Sequence, residues 1–143
     1  MKITDVIKGK TSNKVITINP DATVRDLLAL LAEHNIGAVI VSGDGSAVDG
    51  IVSERDVVRK LNGNDEILDA TVEQIMTAVV QTCEPSADVD ELMALMTKHR
   101  IRHIPVLDDG ELVAVVSIGD VVKSRIGQLE FERDQLDSYV HQT

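Results

Sequence analysis

The most constraining feature of this 143-residue chain is that its sequence repeats at a fixed offset. Residues 20–41 align with residues 85–106 at an offset of 65, and nine of the 22 aligned pairs are identical. After the loss of one residue, residues 52–58 align with residues 116–122 at an offset of 64. A duplicated supersecondary unit usually buries its apolar face against its own copy. We therefore expect one compact body with a pseudo-twofold axis and matching clefts between two similar halves.

Composition limits both the core and the partners. Hydrophobic residues make up 43% of the chain but aromatic residues only 1%, so the core must consist of aliphatic side chains and methionine. The net charge of -10 opposes nonspecific binding to nucleic acid or anionic membranes, although one small anionic ligand needs only a local cluster of donors. A single cysteine, Cys83, excludes an internal disulfide, and no apolar signal stretch or membrane span is visible, so we expect a cytoplasmic protein.

Hydrophobic periodicity predicts an α/β fold in which each half runs strand, helix, strand, strand, helix. In the first half, apolar residues recur with helical spacing over residues 24–31, and residues 38–41 form the continuous apolar run of a buried strand. We expect residues 1–64 to form the first repeat with an N-terminal helical turn and residues 65–126 to form the second. Residues 127–143 are predicted to extend the C-terminal helix.

The last predicted helix, from about Ile118 to Val140, is longer than its counterpart in the first half. It carries a heptad seam, in which apolar residues recur at spacings of 4, 3, 7 and 4 and Arg133 interrupts the pattern. Two interpretations stay open: the helix lies along its own domain, or it packs on a second subunit. The residues of the heptad seam are Val122, Ile126, Leu129, Leu136 and Val140.

Four short segments at corresponding places in the two halves resemble the tandem CBS-domain pair, or Bateman module, in its stand-alone bacterial type. They are residues 50–58 and 114–122, together with residues 35–39 and 100–106, and the resemblance covers nearly everything from Ile3 to about Ile126. It implies two β-α-β-β-α repeats that bind an adenosyl ligand in the cleft between them: AMP, ADP, ATP, NAD or S-adenosylmethionine. No further cofactor, metal or catalytic residue is implied.

In the family's pattern, a serine and an aspartate three residues later stand where a strand ends and a helix begins. The matching pairs here are Ser53 with Asp56 and Ser117 with Asp120. The resemblance implies that the hydroxyl faces phosphate or ribose and that the carboxylate accepts from the ribose hydroxyls. The same spacing also forms a helix-capping box, which needs no ligand, and we expect capping alone where it recurs at Thr23 with Asp26 and at Asp88 with Glu91. Because aspartate is shorter than the glutamate preferred in such boxes, we expect its carboxylate to accept less well from the serine N–H. It should then stay free to accept from the ribose hydroxyls of a ligand.

Basic residues divide unequally between the two halves. Arg55 could reach a phosphate, whereas its counterpart in the second motif is a glycine. Arg102 and His103 precede a strand, where the family often places basic residues toward phosphates. Their counterparts, Gly37 and Ala38, give room for a base or sugar to approach the backbone. We therefore predict two clefts of unequal affinity; solvated surface charge is the alternative reading of the two arginines.

By the family's pattern, adenine would lie against strand residues, with Val15, Ile16 and Thr17 beside one cleft. Val80, Gln81 and Thr82 would stand beside the other, although strand residues before a proline serve equally well as core. The resemblance implies a regulatory sensor that acts through the family's disc-like homodimer and an unknown protein target. The alternative is a CBS dimer without ligand that docks on an enzyme, channel or regulator. The sequence does not favour a catalytic function, because no motif offers a catalytic nucleophile or an NTPase site.

Overall fold

The computed structural model describes residues 1–9, 15–78 and 80–141. It confirms the mixed α/β class, with five strands in two sheets and six α-helices in these residues. The last helix has the predicted bounds, Ile118–Val140, and residues 142–143 of its predicted extension lie outside the described residues. In chain order the elements are α1 Ile3–Lys8, β1 Thr17–Ile18, α2 Val24–His34, β2 Ala38–Val41, β3 Gly50–Ser53, α3 Glu54–Leu61, a 3-10 helix Asp65–Asp69, α4 Val72–Ile75, α5 Val89–His99, β4 His103–Asp108, β5 Glu111–Ser117 and α6 Ile118–Val140.

The two sheets are similar but not equal. In the first, β1 runs parallel to β2, and β2 pairs antiparallel with β3. In the second, β4 and β5 pair antiparallel, and the expected first strand is reduced, among the described residues, to one parallel bridge between Cys83 and Val106. Pro105 explains the shortening. It replaces Ile40 of the first half and has no N–H to donate to a neighbouring strand.

Each half has its own hydrophobic core, and each core is completed by a helix that precedes the other half in sequence. Ile3 and Val6 of α1 are buried in the core of α5, β4, β5 and α6. Val72 and Ile75 of α4 are buried in the core of α2, β2, β3 and α3. Packing therefore crosses the predicted repeat boundary at residue 64 in both directions.

Backbone hydrogen bonds hold these exchanged helices in place. The Ile3 N–H donates to the Ala87 carbonyl at 2.9 Å. At the corresponding place in the other half, the Val24 N–H donates to the Ala70 carbonyl at 2.9 Å, and the Val72 N–H donates to the Ala22 carbonyl at 2.8 Å. The two halves are therefore tied together through their connecting segments.

The segment after α4 crosses β3 at very short range, and this crossing requires a glycine. Ile51 and Thr77 exchange two backbone hydrogen bonds of 3.0 and 2.8 Å. A Cβ added at Gly50 would lie 2.6 Å from Met76 Sδ and 2.8 Å from the Thr77 carbonyl oxygen. Gly50 thus lets the connecting segment pack onto the sheet beside the cleft described below.

The second half of α6 projects away from the rest of the domain. Val121 is fully buried, whereas large apolar side chains from Ile126 onward are more than half exposed. Beyond residue 128, where every described side chain is exposed, the helix does not lie along its own domain, which was one of the two interpretations of the heptad seam. Within the residues that the structure describes, no helix is both long and apolar enough to cross a membrane.

Candidate ligand clefts between the two halves

The two serine–aspartate pairs adopt the same geometry at the starts of α3 and α6. The Ser53 N–H donates to Asp56 Oδ2 at 2.9 Å, and the Asp56 N–H donates to Ser53 Oγ at 3.3 Å. The Ser117 N–H donates to Asp120 Oδ2 at 2.9 Å, and the Asp120 N–H donates to Ser117 Oγ at 3.1 Å. The expectation that aspartate would bond back less well is therefore wrong. Both aspartates close a complete capping box through Oδ2, because the extended serine backbone brings its N–H within their reach.

The other two candidate capping pairs differ from each other. Thr23 and Asp26 form the expected box, with both hydrogen bonds at 3.1 Å. Asp88 makes no side-chain cap, so the expectation of capping there is wrong. Its carboxylate instead binds the Lys2 ammonium at 2.8 Å, and this hydrogen bond lowers the pKa of Asp88. A capping box thus forms both at the clefts and away from them.

The first cleft has a volume of about 420 Å³ and is bounded by both halves. Asp120 and Ser117 stand at the α6 start, and the walls are mostly apolar side chains and backbone. This size lies within the range of small-molecule sites, which are commonly apolar with a few convergent polar groups. The lining residues are Val15, Ile16, residues 35–40, Ile51, His103, Ala114, Val115, Ser117 and Asp120.

The second cleft, of about 330 Å³, is related to the first by the pseudo-twofold axis. Asp56 and Ser53 occupy the places that Asp120 and Ser117 occupy in the first cleft. The two clefts share four wall residues: Gly37, Ala38, Ile51 and His103. The second cleft is also lined by Glu54, Arg55, Arg59, Thr77, Val80, Gln81, Arg100, Ile101 and Arg102.

Charge separates the two clefts. Four arginines line the second cleft beside two carboxylates, those of Glu54 and Asp56. Among the described residues, the first cleft is lined by one carboxylate, that of Asp120, and by no lysine or arginine. Among the described lining residues, the predicted chemical inequality thus takes the form of one cleft rich in arginine and one with a single carboxylate.

Two of the four arginines, Arg59 and Arg100, were not anticipated from the sequence. Arg59 lies one helical turn after Arg55, so both project from the same side of α3. Arg100 ends α5 in the left-handed conformation, with φ 54°, a position where glycine or asparagine is usual. Its counterpart Asn35 has φ 52° and lines the first cleft. The repeat itself carried a signal for Arg100: it aligns with Asn35, a residue type that is common in the left-handed conformation, whereas arginine is strained there.

Most residues singled out in the sequence line one cleft or both. Thr17 and Thr82 line neither cleft. Thr17 opens β1, directly after Val15 and Ile16, which do line the first cleft. Thr82 lies with Cys83 beside a separate depression. The singled-out residues at the first cleft are Val15, Ile16, Ser117 and Asp120, those at the second are Ser53, Arg55, Asp56, Val80, Gln81 and Arg102, and those at both are Gly37, Ala38 and His103.

We expect Cys83 to react slowly with thiol reagents. Burial raises the pKa of its thiol from 9.0 to about 11, and the thiolate is the reactive form. At pH 8 the thiolate fraction should therefore be roughly 100-fold below that of an ordinary cysteine. Timed reaction with 5,5′-dithiobis(2-nitrobenzoic acid), for the folded protein and for the protein in urea, measures this ratio. Equal rates in the two states would contradict it.

Metal binding has no visible basis in the described part of the chain. No three His, Cys, Asp or Glu side chains come together there in a way that could hold an ion.

Comparison with known proteins identifies both halves. The family model of the CBS domain matches residues 3–63 and again residues 72–127. A curated relative, the mitochondrial CBS domain-containing protein CBSX3 of Arabidopsis thaliana, is 36% identical over 96% of this chain and 71% of its own length. A solved protein with CBS domains from Burkholderia ambifaria is 44% identical, with a TM-score of 0.83, over 89% of this chain and 95% of its own.

A third similar protein was solved with ligands. It is the CBS-domain pair of protein MJ0100, in complex with 5-methylthioadenosine and S-adenosyl-L-methionine. It is 26% identical to this chain, with a TM-score of 0.75, and the match covers 86% of this chain and 98% of that one.

Proposed function

The chain belongs to the CBS-domain family, and on this premise we propose that it is a regulatory module that binds adenosyl ligands in its two clefts. The observation that carries the proposal is the pair of serine–aspartate corners, since both line hollows that the two halves enclose together. The capping box uses Oδ2 of Asp56, and no described residue makes a hydrogen bond with its Oδ1. That oxygen would accept from a ribose hydroxyl, while the box holds the carboxylate in place.

We assign phosphorylated ligands, such as AMP, ADP, ATP or NAD, to the second cleft. Guanidinium groups present several donors in a planar fork that matches phosphate oxygens, and such charge-assisted bonds are stronger than neutral ones. Arg55 and Arg102 reach this cleft from opposite halves of the molecule, so a phosphate chain would bridge the halves. The first cleft suits an adenosyl ligand of little negative charge, because Asp120 supplies the only carboxylate among its described lining residues and no lysine or arginine stands there.

Regulation would follow from the wall that the clefts share. A ligand shifts the arrangement of the two halves only as far as it binds one arrangement better than another. Gly37, Ala38, Ile51 and His103 belong to both clefts, so a ligand in one changes the boundary of the other. We propose that a second copy and a protein target in the cytoplasm read this change, and that the module has no catalytic step of its own.

Replacing Asp56 by alanine is expected to weaken nucleotide binding by roughly 1–3 kcal/mol, because ribose hydroxyls in the second cleft lose their acceptor. Isothermal titration with AMP and ATP measures the change. The matched control is Asp26→Ala, which removes the same kind of capping box at α2, away from both clefts. It should lower stability and leave the dissociation constant unchanged. An unaltered affinity in Asp56→Ala rejects the ribose role.

The exposed apolar residues of α6 favour a second candidate, a CBS dimer that acts as a docking scaffold without ligand. A thermal-shift series distinguishes the two functions. A ligand that binds only the folded protein raises the unfolding midpoint in proportion to the logarithm of its concentration. We expect a rise with at least one of AMP, ATP, NAD and S-adenosylmethionine; no rise with any of them favours the scaffold.

A further inference from the structure

The free part of α6 presents an apolar face that no described residue of its own body covers. Within the heptad seam, Val122 is 43% exposed, Ile126 52%, Leu129 53%, Leu136 64% and Val140 59%. By contrast, Val121 is fully buried and Gln128 is partly buried on the line where α6 contacts its own body. With about 100° of rotation per residue, the seam is centred about 100° around the helix from that line. The helix thus has one face for its own body and a second, separate apolar face.

This face is long and regular enough to pair with another helix. From Val122 to Val140 it spans about 27 Å, and its side chains recur with the 3–4 spacing that forms knobs-into-holes contacts. A helix of this length that projects into water without packing has little stability of its own. Gly127, inside the projecting part, lowers its helix propensity further. The exposed segment therefore needs a partner surface that matches the heptad spacing.

We propose that the heptad seam pairs with the heptad seam of a second copy of this chain in antiparallel orientation. The seams then meet with their centres near residue 131, and every apolar residue finds an opposite. Arg133, which interrupts the seam, faces an apolar side chain rather than a second Arg133. The layers are Val122 against Val140, Ile126 against Leu136 and Leu129 against Arg133, each formed twice.

The distribution of charge along α6 selects the antiparallel orientation. Residues 121–129 carry two cations, Lys123 and Arg125, and no carboxylate. Residues 130–140 carry four carboxylates and a single cation, Arg133. Antiparallel pairing places the basic beginning of one helix beside the acidic end of the other. Parallel pairing would bring the two acidic ends together, and like charges facing each other across a seam disfavour that arrangement.

Individual neighbours in the antiparallel pair are complementary. Lys123, which flanks Val122, lies on the same side as Asp137 of the second copy, and this pair occurs twice. Arg133 at the seam lies within a helical turn of Glu130 and Glu132 of the second copy, whose carboxylates would otherwise repel their own equivalents. In a parallel pair, Arg133 would instead face its own copy within the apolar layer.

Cysteine cross-linking tests the orientation directly. In a Cys83→Ala background, chains carrying Ile126→Cys are mixed with chains carrying Leu136→Cys, refolded together and oxidised. Antiparallel pairing predicts a disulfide between the two different chains and almost none between identical chains, because a residue far from the centre does not meet its own copy. Ser138→Cys, on the side of the helix opposite the seam, is the matched control and should not cross-link.

Each outcome decides the question. Disulfides between identical Leu136→Cys chains would mean parallel pairing and would overturn the proposal. No disulfide in any mixture would show that the seam does not face a second copy, even if the protein associates through another surface. Pairing of the heptad seam is independent of ligand binding, since Asp56→Ala should lose nucleotide affinity and keep the cross-link. Failure of one proposal therefore leaves the other intact.

A charge exchange provides an independent check by sedimentation equilibrium. Lys123→Asp should weaken self-association about tenfold or more, because it places like charges together twice in each dimer. Adding Asp137→Lys to the same chain should restore the association, since the pair is re-formed with its signs reversed. Equal association of the single variant and the natural chain, or failure of the double variant to recover, would contradict the antiparallel arrangement.

Discussion

Replacing Ile3 by alanine should lower the free energy of unfolding by about 2–5 kcal/mol, and the destabilisation should be concentrated in the second half of the molecule. Ile3 is only the third residue of the chain, but its side chain is fully buried in the core with Leu92 and Ile104. Truncation removes apolar contacts and leaves a cavity that the surrounding sheet and helices fill only in part. Urea unfolding followed by circular dichroism measures the change in free energy.

Hydrogen exchange locates the effect. In Ile3→Ala, amides of β4 and β5 should lose protection before those of β2 and β3, since the truncated side chain belongs to the second core. Val72→Ala should reverse that order, because Val72 completes the first core. Lys8→Ala is the control, as Lys8 is exposed on the same short helix. An Ile3→Ala protein as stable as the natural chain would show that α1 is not part of this core.

Removing Arg55 and Arg102 together should weaken binding of ATP by about 3 kcal/mol or more, which is roughly 100-fold in the dissociation constant. Both side chains line the second cleft, one from the start of α3 and one from the segment before β4. Each charge-assisted hydrogen bond to a phosphate contributes about 1.5–3 kcal/mol, so the loss of two should be large. Isothermal titration of the double alanine variant gives the affinity.

The comparison with adenosine makes this prediction specific. Adenosine has no phosphate, so its affinity should be nearly the same in the natural chain and in the double variant. Arg25→Ala is the matched control, since Arg25 pairs with Asp69 at 2.9 Å on the surface and lines neither cleft. Equal losses of ATP and adenosine affinity would mean that the variant has damaged the cleft in general. Unchanged ATP affinity would place the phosphates elsewhere.

Much of the local structure could be predicted because it depends on neighbours in the sequence. Periodic apolar residues placed α2 and α5, and the longer seam placed α6 with its bounds, since an amphipathic helix needs the same spacing whatever covers it. Serine three residues before aspartate marked the starts of α3 and α6. The closing hydrogen bonds of these boxes were misjudged, because they depend on the extended backbone of Ser53 and Ser117 rather than on side-chain length alone.

The second sheet shows where the repeat misleads. The aligned sequence predicts the same three strands in both halves, but a single exchange, Pro105 for Ile40, removes an N–H at the place where the first strand should pair. A repeat records common ancestry of the two halves, whereas strand pairing depends on each donor and acceptor. One residue is enough to change the result.

The duplication, its aliphatic cores, the helix starts and the serine–aspartate corners are properties of short segments, so the amino-acid order by itself determined them. Tertiary structure alone decided that α1 completes the second core and α4 the first. It alone also decided that four arginines from distant segments meet at one cleft, whereas the described lining of the other has one carboxylate and no lysine or arginine. The reason is physical: burial and electrostatic fields depend on which remote segments come together in space, and sequence spacing carries no such information.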